Sequence, residues 1–105
     1  MIIEIQCLPN PPGTSTNRWA HVEAAIAIIE QSGLRYEVGP LGTSVEGEPD
    51  EIWPLLRRVH EATLGPSLDG ASVGAHGVVS IIKVEQTRKR EDDPSMHDLV
   101  GKFRS

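Results

Sequence analysis

The stretch from Gly33 to Gly47, GLRYEVGPLGTSVEG, constrains the fold of this chain more than any other. Apolar side chains alternate with charged ones over residues 34–38, the two-residue period of a half-buried strand. Gly39 and Pro40 then interrupt the run, because glycine permits a positive φ and proline has no N–H to donate. A second alternation follows over residues 43–46. The stretch therefore predicts two short strands joined by a tight turn.

Helices and outer strands on both sides of this hairpin complete a regular pattern. The predicted outer elements are a first strand over Ile2–Leu8, a helix over Arg18–Ser32, a helix from Pro49 and a last strand over Val78–Glu85. The order is strand, helix, strand, strand, helix, strand. Two right-handed strand–helix–strand units joined by a hairpin predict an α+β, ferredoxin-like sandwich. Its four-stranded antiparallel sheet should have the order 4-1-3-2, with both helices on one face.

Apolar stripes identify the buried side of each helix. Residues spaced three or four apart are expected to face the sheet. They are Val22, Ala25, Ile26 and Ile29 in the first helix, and Ile52, Leu55, Leu56, Val59 and Thr63 in the second.

Four local details of the chain can be predicted from individual residue types. Thr16 or Asn17 should cap the first helix with a side-chain oxygen. Pro54 removes an early backbone hydrogen bond, so we expect an irregular first turn in the second helix. Residues 65–77, which are rich in glycine, should form a long loop or contain a short ordered turn. A short C-terminal helix should begin after Pro94.

Composition limits the chain to one small domain covering residues 1–105. The sequence has 105 residues, is 38% hydrophobic and carries a formal net charge of -5 from 15 acidic and 10 basic residues. That charge disfavours nucleic-acid binding, which depends on Lys and Arg at phosphates. We expect a cytoplasmic protein without a signal peptide or membrane span. The single cysteine, Cys7, is expected to be a buried, inert thiol.

The residue pattern does not favour a catalytic site or a metal site. His21, His60, His76 and His97 include no i, i+4 pair on a helix, and His21 and His60 are expected to be partly exposed. Ser80 lacks the glycine-flanked turn of a hydrolase nucleophile. The acidic run over residues 46–51 is typical of a helix N-terminus. We therefore expect a binding protein rather than an enzyme, with no metal and no catalytic cofactor.

Four segments of the sequence resemble the thiamine-binding-protein family. They are SGLRYEVGPLGTSVEGE (32–48), RRVHEA (57–62), VVSIIKVE (78–85) and SMHDLVGKF (95–103). The resemblance implies a ferredoxin-like domain that assembles as a dimer or tetramer. Some members of that family bind thiamine or its hydroxymethylpyrimidine part, and others have an unknown ligand or a bound anion. No catalysis is established for the family.

Assembly is also expected from the sequence itself. Val79 and Ile81 lie beside Ile2 on the sheet face without helices, where they would otherwise expose an apolar patch. We therefore expect a homo-oligomer, most simply a dimer of dimers, formed through the open sheet face.

A thiamine ligand implies a site with an aromatic surface, a carboxylate and several hydroxyl or amide groups. Seven residues are candidates for it: Asn17, Trp19, Tyr36, Thr43, Glu46, Ser80 and Lys83. Each also has a structural interpretation. Trp19 could anchor a loop, Tyr36 could belong to the core, and Lys83 could pair with an acidic neighbour. Glu46 could bind the thiazolium cation or the N-terminal amides of the second helix. Two alternatives stay open: an oligomer that senses an anion such as sulfate at Lys83 and Arg88, and a small enzyme of unknown reaction.

Overall fold

The computed structural model describes residues 1–65 and 74–101 of the chain. Its elements in order are β1 (Ile2–Asn10), α1 (Ala20–Gln31), β2 (Arg35–Val38), β3 (Thr43–Glu46), α2 (Pro49–Ala62), β4 (Gly77–Glu85), a 3₁₀ turn (Arg90–Asp92) and α3 (Met96–Val100). The described residues contain no helix that is both long and apolar enough to cross a bilayer.

The four strands form one antiparallel sheet in the order β2-β3-β1-β4. This is the predicted 4-1-3-2 arrangement read from the other edge, so the ferredoxin-like prediction is confirmed. β1 is a central strand: its Ile3 lies between Val45 of β3 and Val84 of β4. Both long helices pack on the face that carries Ile3 and Val45.

The core lies between β1, β3 and the two long helices. It contains Met1, Ile3, Ile5, Ala25, Ile29, Val45, Ile52, Leu55, Leu56 and Val59. The predicted stripe of α2 is buried along its whole length, including Thr63. Of the predicted stripe of α1, Ala25 and Ile29 are buried, whereas Val22 and Ile26 are half-buried. The outer half of the α1 stripe therefore remains accessible.

The two long helices begin differently from the predictions. α1 begins at Ala20, and Asn17 supports the turn before it: its side-chain Oδ1 accepts from the Trp19 N–H at 3.3 Å. α2 is helical from Pro49 onward with Pro54 inside it, so the predicted irregular first turn is wrong. The carbonyl that Pro54 cannot bond belongs to Asp50, which is exposed, and water can satisfy a carbonyl there.

The edge strands keep much of their apolar surface uncovered. β2 was predicted to be half-buried, but all four of its residues are exposed, because the helices pack mainly over the central strand β1 and not over this edge. On the face without helices, Val79 is 63% exposed and Ile81 is 51% exposed. The predicted apolar patch on the open face is therefore present in the single chain.

The long connection between α2 and β4 lies partly outside the described residues, as does Phe103 of the predicted C-terminal helix. At the two described ends of the connection, Ala75 N–H donates to the Thr63 carbonyl at 2.8 Å and His76 N–H donates to the Asn10 carbonyl at 2.9 Å. The predicted short C-terminal helix is present as α3, and Ser95 caps it by accepting from the Asp98 N–H at 3.0 Å.

Candidate functional site

A cavity of about 340 Å³ lies between α1, the sheet and the β2–β3 turn. Val22, Ala25 and Ile26 line it from α1, and Ile5 and Cys7 line it from β1. The short side chain of Ala25 leaves room at this point of the helix–sheet interface. The half-buried part of the α1 stripe therefore faces a cavity instead of closely packed core.

One wall of the cavity is an unpaired edge of β1. The pairing between β1 and β3 ends at Ile5 and Thr43, whereas β1 continues alongside β4 as far as Asn10. The Met1 carbonyl accepts from Gly47 N–H on the β3 side, and main-chain groups in a strand alternate in direction. Ile5 and Cys7 therefore also direct their N–H and C=O toward the β3 side. Because β3 does not extend as far as Cys7, no β3 residue lies opposite it. The N–H and C=O of Cys7 therefore have no strand partner on that side and face the cavity end of the sheet.

Thr43 supplies a hydroxyl at the end of this open edge. The residue is only 5% exposed and lines the cavity from β3. Among the described residues, no hydrogen bond reaches its hydroxyl, and the hydroxyl oxygen is not one of the fully buried atoms without a partner, so it is open to the cavity. The Thr43 hydroxyl is therefore a group that a ligand could satisfy.

Cys7 contributes a thiol that is backed by two polar residues. Ser80 Oγ donates to Cys7 Sγ at 3.5 Å, and His60 Nδ1 lies 2.5 Å from the same Ser80 oxygen. Burial raises the pKa of the Cys7 thiol, and the Ser80 hydrogen bond lowers it by less. The thiol is therefore neutral at pH 7. Cys7 was predicted to be buried and inert, but it is half-buried and forms part of the cavity wall.

The mouth of the cavity is formed by the β2–β3 turn and by Trp19. The turn is closed by a hydrogen bond from Gly39 N–H to the Gly42 carbonyl at 2.8 Å. Trp19 precedes α1 and is 52% exposed. The guanidinium carbon of Arg18 lies 5.4 Å from the centre of the Trp19 ring, within the range of a cation–π contact.

Two of the seven predicted ligand residues, Trp19 and Thr43, line the cavity. Ser80 lies one residue behind the wall, in contact with Cys7. Asn17 lies in the loop before α1, and its amide donates to Glu23 at 3.4 Å. Tyr36 lies on the edge strand β2, outside the cavity.

Lys83 and Glu46 lie on the sheet face away from the helices. The ammonium of Lys83 is 3.7 Å from the carboxylate of Glu4, which matches its structural interpretation. Glu46 Oε1 accepts from the Met96 N–H of α3 at 2.6 Å. The structural alternative for Glu46, a contact with the N-terminal amides of α2, is therefore replaced by a contact with α3. Glu46 is three residues from Thr43, about 10 Å along a strand, and it does not line the cavity.

Two histidines differ in burial. His21 was expected to be partly exposed, but it is 6% exposed and its Nδ1 lies 2.8 Å from the Pro11 carbonyl. It therefore helps to hold the loop between β1 and α1. His60 is half-buried, as expected, and contacts Ser80. The described residues contain no group of three His, Cys, Asp or Glu side chains arranged to hold a metal.

The sequence did not point to two lining residues of the cavity, Cys7 and Ala25, nor to the contact of Arg18 with the Trp19 ring. The alternation of β1 correctly placed Cys7 on the same sheet face as Ile5. It did not indicate that Cys7 would line a cavity. Ala25 was assigned to the α1 stripe, where its small size was the signal of a gap. Nothing in the sequence pattern indicated that Arg18 would stack on its neighbour.

Comparison with known proteins identifies the family of the chain. A family model described as thiamine-binding protein matches residues 3–104. A UPF0045 protein of Clostridium perfringens is 28% identical over 102 residues, covering 97% of this chain and 95% of the relative. A UPF0045 protein of Methanothermobacter thermautotrophicus is 30% identical over 92 residues, covering 86% and 84%.

Two solved structures share the fold. A domain of unknown function from Bacillus cereus, DUF77, superimposes with a TM-score of 0.76 at 26% identity, covering 98% of this chain and 88% of that one. A Thermotoga maritima protein, provisionally assigned to thiamine biosynthesis or salvage, gives a TM-score of 0.72 at 23% identity, with coverages of 98% and 97%. Because the family model covers nearly the whole sequence, the chain belongs to the thiamine-binding protein family.

Proposed function

We propose that this protein is a non-catalytic binder of thiamine or a related aminopyrimidine, and that the ligand occupies the cavity between α1 and the β2–β3 turn. The observation that carries the proposal is the pairing of two unsatisfied polar features in one apolar cavity. These are the partnerless hydroxyl of Thr43 and the open main-chain edge at Cys7. Family membership supports the ligand class.

An aminopyrimidine matches these polar features chemically. Its exocyclic amino group donates hydrogen bonds, and the adjacent ring nitrogen accepts one. The N–H and C=O of one strand residue form the complementary donor and acceptor. Cys7 could therefore make two hydrogen bonds to this edge of the ring, as it would to a neighbouring strand. The flat faces of the ring are apolar enough to pack against Ile5 and Ala25. A volume of about 340 Å³ is at the small end of ligand pockets, which suits a single ring better than two.

The ionisable groups at the cavity favour binding over catalysis. Among the described lining residues, Cys7 is the one with an ionisable side chain, and burial keeps its thiol neutral at pH 7. General acid–base catalysis needs a group whose pKa lies near the working pH and within reach of the substrate. Cys7 lies within reach of a ligand in the cavity, but its raised pKa does not meet the first requirement, which supports a binding role.

We further propose that the protein acts as a homo-oligomer, most simply a tetramer, assembled through the sheet face that carries Val79 and Ile81. The support is the exposed apolar surface of these two residues. Light scattering should give the mass of two or four chains, and Ile81→Lys should reduce it. A monomeric wild-type chain at micromolar concentration would contradict this part of the proposal.

Calorimetric titration of the intact protein tests the proposed function. We expect heat of binding with hydroxymethylpyrimidine and none with sulfate. Ala25→Leu fills part of the cavity and should remove binding, with a melting temperature equal to or above that of the wild type. Ala24→Leu is the matched control, because Ala24 lies about 150° around the helix from the cavity side of α1. Loss of binding in both variants, or in neither, would contradict the proposed site.

A further inference from the structure

We propose that Glu4 recognises the positive charge of thiamine, because its carboxyl group lies where the cavity reaches the edge of the sheet. This inference rests on the proposed function and names the ligand more narrowly, as the cationic, two-ring thiamine. Glu4 is a specificity-determining residue: it favours a ligand that carries a cation next to the pyrimidine. Three features of the described residues support it.

The first feature is the size and charge of the cavity. Its volume of about 340 Å³ suits one aromatic ring. With the pyrimidine of thiamine inside, against Thr43 and Cys7, the thiazolium ring lies outside, at an opening. No Asp or Glu is among the described residues that line the cavity. An anionic partner for the thiazolium, which replaces part of its hydration, must therefore come from a carboxylate at the rim.

The second feature is an opening beside Gly42. Gln6 and Leu8 of β1 line the cavity beyond the last β1 residue that pairs with β3, and Gly42 lines it from the turn before β3. Lining residues therefore stand on both sides of the gap between β1 and the turn, and Gly42 has no side chain to fill that gap. A Cβ atom on Gly42 would lie 3.3 Å from Glu4 Cγ and 3.5 Å from Glu4 Cδ. The carboxyl group of Glu4 thus lies against a lining residue at this opening.

The third feature is the availability of the Glu4 carboxylate. It lies 3.7 Å from the Lys83 ammonium, and both side chains are largely exposed. An exposed ion pair contributes little free energy, so a ligand cation can compete with Lys83. Two other carboxylates are already used within the protein. Glu23 accepts from a side-chain amide at 3.4 Å, and Glu46 accepts from the first N–H of α3 at 2.6 Å.

The opening is compatible with the proposed assembly surface. Val79 and Ile81 lie on β4, which pairs with one edge of β1, whereas Gly42 precedes β3, which pairs with the other edge. Assembly centred on Val79 and Ile81 therefore does not require the position beside Gly42.

The test separates ligand charge from ligand size. Hydroxymethylpyrimidine, thiamine and 3-deazathiamine, a neutral isostere of thiamine, are titrated against the intact protein by calorimetry at low salt. We expect the wild type to bind thiamine about two- to fivefold more tightly than 3-deazathiamine, the scale of one exposed ion pair. In Glu4→Gln the two affinities should become equal, and affinity for hydroxymethylpyrimidine should change by less than about 1.5-fold. Lys83→Gln should increase the preference for thiamine, because Glu4 loses its competing cation.

Glu30→Gln is the matched control, because it removes the same charge from an exposed position on α1 that does not line the cavity. It should keep the wild-type preference for thiamine over 3-deazathiamine. Equal binding of the two by the wild type, a preference that survives in Glu4→Gln, or one that is lost equally in Glu30→Gln would overturn the inference while leaving the proposed function intact. Failure of all three ligands to bind the wild type would overturn both.

Discussion

The two ends of the sheet differ in how their polar groups are satisfied. At the end near Thr43, the described polar groups of the cavity wall have few protein partners, and the surroundings are apolar. At the opposite end, charged groups are joined to each other. The Met1 ammonium lies 3.0 Å from Asp93, and Arg90 pairs with Glu48. Glu46 holds the first amide of α3. Glu85, which also lies at this end, keeps one buried carboxylate oxygen without a partner among the described residues. The other charged contacts fasten the C-terminal segment, whereas the open groups at the Thr43 end are consistent with the proposed ligand site.

The charged end could be mistaken for a site, because it also encloses a surface pocket lined by Met1, Glu46, Arg90 and Asp93. Its carboxylates, however, are already engaged. Asp93 accepts from both the N–H and the hydroxyl of Thr87, at 2.8 Å and 2.7 Å. These bonds, followed by the bond to the Met1 ammonium, lower the pKa of Asp93 to about 2. Groups that satisfy each other this fully stabilise a structure and offer little to a ligand.

Replacing the hydroxyl at the cavity end should weaken binding without filling the cavity. Thr43→Val keeps the shape of the side chain and removes its hydrogen bond to the ligand. We expect affinity for hydroxymethylpyrimidine to fall by about 1–2 kcal/mol, or roughly five- to thirtyfold. Unfolding free energy should change little, because the hydroxyl makes no hydrogen bond within the described part of the protein. Calorimetry and thermal unfolding measure the two effects.

A fall in stability without a fall in affinity would contradict this prediction, since it would show that Thr43 supports the fold rather than the ligand. Ser44→Ala is a suitable control. Ser44 is the next residue of β3 and points to the face without helices.

Removing the charge of Glu46 should give the reverse result. Glu46→Gln keeps an oxygen near the Met96 N–H but replaces a charge-assisted hydrogen bond by a neutral one. We expect a loss of about 0.5–1.5 kcal/mol in unfolding free energy, measured by denaturant titration. Affinity for hydroxymethylpyrimidine should be unaltered. A tenfold weaker affinity in Glu46→Gln would restore the hypothesis that this carboxylate contacts the ligand.

The pH dependence of stability should come partly from the charged end. The pKa of Asp93 is lowered to about 2 in the folded protein, below the ordinary value of 3.8. Its contribution to stability is therefore fully present above pH 4 and is lost as the pH falls through 2. In acid titrations, Asp93→Asn should be less stable than the wild type at pH 6, and the two should converge toward pH 2.

Asp92→Asn is the control for that titration. The neighbouring Asp92 side chain accepts no hydrogen bond within the described part of the chain, so its profile should follow the wild type. Parallel profiles for the wild type and Asp93→Asn between pH 4 and 2 would show that the Thr87 and Met1 contacts do not hold Asp93 in its charged form.

The hairpin and the element order could be predicted from sequence because they depend on local alternation and on glycine and proline. The same alternation placed Thr43 on the helix face and Glu46 on the other. The cavity could not be predicted, since it depends on β1 extending past the last residue paired with β3. The contact of Glu46 could not be predicted for a related reason, because its partner Met96 lies 50 residues away along the chain. Registers and long-range partners are set by packing, which periodicity does not specify.

The most direct test of the proposed cavity uses Cys7, the single cysteine of the sequence. Its thiol lines the cavity, so the rate of its alkylation by iodoacetamide at pH 9 depends on whether the cavity is occupied. Intact-protein mass spectrometry measures this rate on the unmutated protein. Saturating hydroxymethylpyrimidine should slow the labelling of Cys7 more than about tenfold, since occupancy well above the dissociation constant leaves few empty cavities. An unchanged labelling rate at a concentration where calorimetry shows saturation would place the ligand elsewhere and contradict the proposed site.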